Sequence, residues 1–465
     1  MNNSVSLRHI AVALALILAA WLVLFPVEGV QPNVSHSAAV ILITLVGWST
    51  GLFPPFLTAL IFFALVTIFQ LLAPGVLFAG FGSTAVWLII SGFIIGSAIS
   101  LSGLGKRLAS RIAPYLVGSY FRLIFGLVVS AMILGFLMPS SVGRSVVMIP
   151  IGMALAEKVG FSRGSNGRLG VATSLTLACN MPSFAILPAN IPNMILSGAS
   201  ETLFHLSFGY TEYLWLHFPV LGIVKSLIIV ALTLVIFPAH IRAEASDEAP
   251  QQQEEVYQTA LQIRVGIILG VTLLLWVTDT IHGVNSAWVG LAAAIVLLLP
   301  RWGVVPPKSF NSSIDFGAVV FVAAALGLGA LVNRSGIGTI MGDILGGFIP
   351  GKAGGDFLNF MALSLMSMLT GFVATVPGVP TILTPMAGDL AQATGFTVPQ
   401  VLMTQVVGFS TIIFPYQVTP LIIAMQLSHE PLSKLLKLTF PLAIITVLVL
   451  MPLDYLWWNL LGWLG

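Results

Sequence analysis

Apolar residues run along this chain in blocks of about twenty, divided by short polar or proline-rich breaks. Eleven blocks fall near 10–26, 36–53, 55–73, 84–101, 168–198, 212–237, 262–280, 285–300, 315–333, 398–426 and 438–460. A helix needs roughly 20 apolar residues to cross the hydrocarbon of a bilayer, so each block predicts a membrane-spanning helix. One phrase recurs among them. Residues 86–109 read VWLIISGFIIGSAISLSGLGKRLA, and residues 319–342 read VVFVAAALGLGALVNRSGIGTIMG. Superposed, Ser102-Gly103 falls on Ser335-Gly336, Gly96 on Gly329 and Gly105 on Gly338. A repeat across half of a strongly apolar chain predicts a transporter built from two related halves.

Two further apolar stretches do not fit as simple spans. Residues 119–157 are broken at MPSSVGRS, and residues 357–393 at ATVPGVPT. Arg111 and Arg122 precede the first stretch, and Lys158, Arg163 and Arg168 follow it. Basic residues favour the cytoplasmic face, so this stretch enters and leaves on one side as a re-entrant hairpin. The second is expected to do the same from the opposite side. With Pro150 set on Pro385, Gly143 falls on Gly378, so the two tips correspond. Two of the spans are also interrupted. Block 168–198 carries Pro182, Pro188, Asn190, Pro192 and Asn193; block 398–426 carries Pro415, Gln417, Thr419 and Pro420.

The expected fold class is therefore an all-α polytopic membrane protein. It has about 11 transmembrane helices in two inverted repeats, each with a re-entrant hairpin and a broken helix. The first half covers 1–240 with helices 1–6 and hairpin 119–157. The polar run 241–261 is a cytoplasmic linker. The second half covers 262–465 with helices 7–11 and hairpin 357–393.

Composition agrees and narrows the classes. The 465 residues are 57% hydrophobic and 7% charged, with mean hydropathy +1.04, against about 25% charge in a soluble protein. The solvent is lipid. No phosphate loop, metal cluster, catalytic triad or nucleic-acid patch is legible, so an enzyme is not expected. The single cysteine, Cys179, excludes an internal disulfide and reads as a small buried residue. Most of the 18 Lys and Arg fall inside if the N-terminus is cytoplasmic and the C-terminus outside. The first block has no small-residue cleavage site before Phe25-Pro26 and reads as a retained helix.

Broken helices leave backbone groups unpaired, which hydrocarbon tolerates only beside protein or a wet cavity. The second arm of each hairpin starts near the midplane. Its free N–H groups and positive dipole end favour an anion, with Pro380 expected in the first turn of its arm. The candidate substrate-binding residues are Ser140, Ser141, Arg144 and Ser145 at the first tip, and Thr375, Gly378 and Thr381 at the second. Asn190, Asn193, Gln417 and Thr419 at the helix breaks complete the set. Arg144 either pairs with the anion or caps backbone carbonyls. Asn190, Asn193, Gln417 and Thr419 either contact substrate or satisfy broken backbone. Lys225 either faces the cavity, bridges two domains, snorkels or pairs with a carbonyl. His205 and His217 read as interfacial packing, with proton coupling the alternative. Trp457, Trp458 and Trp463 read as an aromatic belt. Asp279, Asp315, Asp343, Asp389 and Asp454 all read as lying near segment ends, as do Glu201 and Glu212.

With SGLGKRLA after a span, and with hairpin, broken helix, linker, second hairpin and second broken helix in that order, the chain resembles the divalent anion/sodium symporter family. That family moves dicarboxylates, citrate or sulfate. The resemblance implies an eleven-helix homodimer with scaffold and transport domains and an elevator-like movement. It also implies Ser-Asn-Thr tips that help to bind substrate and sodium. Here those places hold Ser140, Ser141 and Val142, and Thr375, Val376 and Pro377. Pro192-Asn193 and Thr419-Pro420 match the family's broken helices. Sodium is expected near Ser140, Gly143, Asn193, Thr375 and Gly378, if it binds at all.

The resulting expectation is a secondary permease for a small di- or trivalent anion, in the inner membrane of a bacterium. It has no cofactor other than sodium or a proton as coupling ion, and no nucleic-acid partner. One alternative is a proton-coupled or exchange carrier in which Arg144 replaces sodium. Another is a receptor or channel that keeps the architecture without cycling.

Overall fold

The computed structural model describes residues 7–25, 32–105, 107, 111, 115–138, 140–241, 259–351 and 355–464. Residues 242–258 of the expected linker, together with Lys106 and Lys352, lie outside the described residues. Among the described residues every regular element is a helix.

The first half holds α1 (Leu7–Leu24), α2 (Pro32–Thr50), α3 (Pro55–Ile68) and α4 (Thr84–Ser102). It continues with α5 (Tyr120–Leu137), α6 (Ser141–Lys158), α7 (Asn166–Ala178), α8 (Ile191–Phe204) and α9 (Tyr210–Ile236). The second holds α10 (Thr259–Val277), α11 (Ser286–Leu298), α12 (Phe316–Arg334), α13 (Ile337–Gly346) and α14 (Gly355–Leu383). It ends with α15 (Ala387–Thr394), α16 (Val398–Phe409), α17 (Thr419–Ser428) and α18 (Leu432–Leu460). Each apolar block became one helix or a pair of half-helices. Seven helical stretches among the described residues are long and apolar enough to cross a membrane, and six shorter apolar helices accompany them.

Local chemistry sets many of the ends. Ser83 accepts from the Val86 amide, Ser119 from Arg122 and Asp315 from Ala318, each a side-chain N-cap. The repeated Ser-Gly pairs share one conformation: Gly103 has φ 67° and Gly336 φ 76°. A residue with a Cβ is strained there, and so glycine stands at both exits.

Both breaks in the hairpins lie where the sequence placed them. The backbone leaves the helix after Leu137 and re-enters it at Ser141. In α14, Thr375 has φ 60° and ψ 165°, a non-helical conformation inside an otherwise helical run. The arms then fold back. A Cβ placed on Gly152 would lie 3.8 Å from Leu127 Cδ1, and one on Gly371 would lie 3.5 Å from Val379 Cγ2. Residues eight apart in a straight helix are separated by about 12 Å along the axis, so the chain reverses at Thr375. The second arm begins after Thr375, so Pro377 takes the first turn. This corrects the expectation for Pro380, which sits one turn deeper.

The halves are cross-braced. α17 packs along α6 of the first hairpin, and α8 packs along α14. Arg168 at the start of α7 is held by Glu430 at 3.0 Å and Glu157 at 2.7 Å. α16 lies so close to the first arm of α14 that a Cβ on Gly408 would fall 2.2 Å from the Ser364 carbonyl oxygen. A side chain there forces two backbones apart, and overpacking costs about 1–3 kcal/mol. Gly408→Ala should therefore lower the thermal unfolding temperature in detergent by several degrees. Gly266→Ala, with nothing within 4 Å, should not. Equal melting of the two variants would show that this contact does not set the packing of α14 on α16.

Candidate functional site

Each broken helix stops abruptly in a buried place. α7 ends at Cys179, and the chain passes through two short 3-10 turns, Pro182–Ala185 and Leu187–Ala189, before α8 begins. α16 ends at Ser410, and one turn, Pro415–Gln417, precedes α17. The last carbonyls of α7 and α16 thus point into the protein without a next turn to receive them.

Arg144 serves the first of these ends. It is fully buried. Its Nε donates to the Cys179 carbonyl at 2.9 Å, and one terminal nitrogen donates to the Met138 carbonyl and to that of Ala189 at 3.4 Å. The other donates to Ser141 Oγ at 2.8 Å and to Ala189 O at 3.3 Å. A guanidinium has five N–H groups, and all five find acceptors inside the protein. Of the two readings of Arg144, the structure has the cap: the residue ties the first hairpin tip to the break between α7 and α8. In this conformation it has no free donor for an anion.

The amides behave similarly. Asn193 Nδ2 donates to the carbonyls of Ser183, Phe184 and Ile186 at 3.0–3.1 Å. Asn190 Nδ2 donates to Ser183 Oγ at 3.1 Å. Gln417 Oε1 accepts from the amides of Ile413 and Phe414 at 3.0 and 2.8 Å. Ser145 Oγ donates to Ser141 O at 2.9 Å, and Thr381 Oγ1 donates to Pro377 O at 3.5 Å. Asn190, Asn193 and Gln417 thus hold the breaks in shape, whereas Ser145 and Thr381 bond back along their own helices.

A second group stands free. Ser140 and Thr375 are half-buried and Thr419 is exposed. Ser140 Oγ accepts from the Gly143 amide at 3.1 Å, which leaves its own proton available. Thr375 and Thr419 hydroxyls take no partner among the described residues. α8 and α17 begin without a side-chain cap. Pro192 and Pro420 have no N–H and the Leu421 amide donates to Val418 O at 3.0 Å, so the N–H groups left at these two starts are those of Ile191, Asn193 and Thr419, beside the positive dipole end. Gln417 Nε2 adds a buried donor without a partner. Free acceptors are fewer: Asn180 Oδ1 and Asn193 Oδ1 are buried and unpaired.

The contacts bring the first tip to the first break through Arg144, and the second tip to the second break through Tyr416, whose hydroxyl donates to Phe372 O at 3.1 Å. The two breaks approach each other where the Phe184 and Phe409 rings lie 5.7 Å apart. A separate cleft of about 550 Å3 lies away from the tips, between residues 159–167 and 238–240.

A second buried cation has the same task as Arg144. Lys225 Nζ donates to the Ser410 carbonyl at 2.8 Å, the last carbonyl of α16, and to Ser410 Oγ at 3.4 Å. Of its several readings the carbonyl pairing is the one found. His217 and Trp458 are fully buried, with ring centroids 5.8 Å apart, so neither ring faces lipid, and Trp458 is not part of a surface aromatic belt. Asp454, expected near a segment end, is fully buried and neither carboxylate oxygen has a partner. A charge pattern in α9 and α18 could have flagged this, since each carries one charged residue in its second half among apolar neighbours.

Helical hairpins, broken helices and free helix starts in a lipid-facing protein describe a membrane transporter suited to anions. The chain belongs to the family described as the sodium:sulfate symporter transmembrane region, whose model matches residues 5–464. It is an integral membrane protein and an anion transporter, not an enzyme. It is 22% identical over 452 residues to an uncharacterized transporter of Haemophilus influenzae, covering 94% of each chain. It is 22% identical over 401 residues to the L-tartrate/succinate antiporter of Escherichia coli (strain K12), covering 82% of this chain and 79% of that one. The solved YdaH transporter of Alcanivorax borkumensis, 18% identical, aligns over 98% of both chains with a TM-score of 0.53, a likeness of fold.

Because Arg144 holds three backbone carbonyls, its loss is first a loss of stability. Arg144→Ala leaves buried carbonyls unpaired, at about 1–3 kcal/mol each, and should lower the unfolding temperature in detergent without any ligand present. Arg144→Lys, with three donors in place of five, should recover part of the loss. An Arg144→Ala protein that melts like wild type yet fails to bind anion would return this residue to the substrate.

Proposed function

We propose that this chain is a secondary permease for a small dicarboxylate or comparable divalent anion, working by elevator-like alternating access. The observation that carries it is the pairing of uncapped helix starts at α8 and α17 with free hydroxyls at Ser140, Thr375 and Thr419. An anion needs donors, and these groups offer donors around two broken helices without a fixed counter-charge. The antiporter name of the Escherichia coli relative favours dicarboxylates and exchange.

The same reading makes the transporter independent of sodium. Carbonyls at the end of a broken helix are where transporters commonly hold a coupling cation. Here Arg144 takes the carbonyls of Met138, Cys179 and Ala189, and Lys225 takes that of Ser410. Near the expected sodium place the buried unpaired oxygens are the side-chain amide oxygens of Asn180 and Asn193, with the Ser140 and Thr375 hydroxyls beside them. Eleven spans in two inverted repeats, re-entrant hairpins, division into 1–240, 241–261 and 262–465, a homodimer, and a cytoplasmic N-terminus with external C-terminus complete the proposal. Support comes from the parallel order of elements in the two halves.

Counterflow in proteoliposomes tests the substrate. Internal succinate should accelerate uptake of labelled succinate or tartrate equally in sodium and in choline, and Thr375→Val with Thr419→Val should reduce uptake at least tenfold. A steep sodium requirement would overturn the replacement of sodium and point to Asn180 and Asn193 as its ligands. Binding without exchange would favour the receptor.

Cysteine labelling tests the hairpin. Gly118→Cys and Arg163→Cys should react from the same side of the membrane. Reaction from opposite sides would make α5 and α6 a crossing segment.

A further inference from the structure

The break after α16 is capped by a cation that, unlike Arg144, has a donor to spare. Lys225 Nζ has three N–H groups and commits two contacts, both to Ser410. Asp454 stands on α18, which packs against the helix of Lys225, yet the two do not form an ion pair. Both Asp454 oxygens are fully buried and unpaired within the protein. A carboxylate left charged and unpaired in such a place is costly, and a neutral acid or a paired anion costs much less.

The helices that carry these two residues are locally unwound in matching places. α9 passes through a π-helical stretch at Phe218–Val224, ending directly before Lys225. α18 passes through another at Thr446–Leu450, ending four residues before Asp454. The two stretches pack against each other. π-helical turns leave backbone loosely paired and frequently mark functional sites.

We propose that Asp454 is a proton-carrying site, coupled through Lys225 to the helix break that helps to form the anion site. When Asp454 takes a proton from one side, its oxygen–hydrogen bond forms and the group becomes neutral; Lys225 then stays on Ser410 and the break is held. When the proton leaves to the other side, the carboxylate draws the Lys225 ammonium away from Ser410. The end of α16 is released, and the second tip and α17 can rearrange around the anion. The ammonium keeps its three protons throughout, so one proton is carried per cycle. Other titratable groups on the packed elements are Tyr210, Glu212, Tyr213 and His217 of α9, and Tyr455 of α18 itself. Arg168 of α7 is already neutralised by Glu157 and Glu430. Asp356 of α14, Arg122 of α5, and Lys434 and Lys437 of α18 stand at the outer ends of their helices.

This inference rests on the anion-transport reading, and its test separates the two. Wild-type, Asp454→Asn and Asp454→Glu proteins are reconstituted into liposomes with a trapped pH dye, and succinate is the probe. Wild type should move protons with succinate and accumulate it down a pH gradient. In Asp454→Asn the ratio of gradient-driven accumulation to counterflow should fall at least tenfold. Asp454→Glu should restore coupling with a displaced pH midpoint. Unchanged coupling in Asp454→Asn, or proton-free accumulation in wild type, would overturn the proposal. If Asp454→Asn does not fold, an unshifted midpoint in Asp454→Glu overturns it equally. Difference infrared spectroscopy of the wild type on a pH jump needs no transport: a buried acid band that titrates and shifts in Asp454→Glu supports the site even where succinate proves not to be carried. No such band overturns it.

Discussion

A backbone carbonyl buried in an apolar interior must be paired, and this protein places two helix ends where no further turn can pair them. Everything functional in the fold follows from how that demand is met. Arg144 meets it after α7 and Lys225 after α16. With the negative ends of α7 and α16 satisfied by side chains, the chain is free to restart α8 and α17 with their amides uncapped. Neutralising one end of each break is what allows the other end to remain open for an anion.

The donors come from different parts of the chain. Arg144 stands on the second arm of a hairpin, whereas Lys225 stands on a long continuous helix. The first break is thus bound to its own hairpin by a group with every donor used. The second is bound to a neighbouring helix by a group with a donor to spare. α9 touches both, through the Tyr213 hydroxyl on the Phe184 carbonyl at 2.9 Å and through Lys225 on Ser410. It serves as the rail along which both breaks are set.

Much of this was legible in the sequence, and for physical reasons. Apolar runs, the Ser-Gly repeat and the positions of MPSSVGRS and ATVPGVPT depend on local chemistry, and the helices and both hairpin turns appear where these signals lie. Thr375 could be placed in a break but not given a positive φ, because that conformation follows from the reversal of the arms. The roles of Arg144, Asn193 and Gln417 were open between ligand and backbone, since one sequence cannot say which carbonyls will lie within 3 Å. Lys225 was open among several readings and Asp454 read as lying near a segment end, because what surrounds each is distant in sequence. Lys225 finds its carbonyl at Ser410, and Asp454 finds none. Trp458 resembled its neighbours in the terminal aromatic cluster, and only packing separates the buried ring from the surface ones.

The cross-bracing of the two halves also bears on how the protein is made. α6 leaves the ribosome long before α17, the helix it packs against, and Arg168 waits equally long for Glu430. The first hairpin must therefore remain in the bilayer with its packing incomplete until nearly the whole chain has been synthesised. Contacts of such long sequence separation make folding slow and leave the early half exposed to wrong partners in the meantime. Truncation near the C-terminus would strand the first hairpin as surely as damage to the hairpin itself.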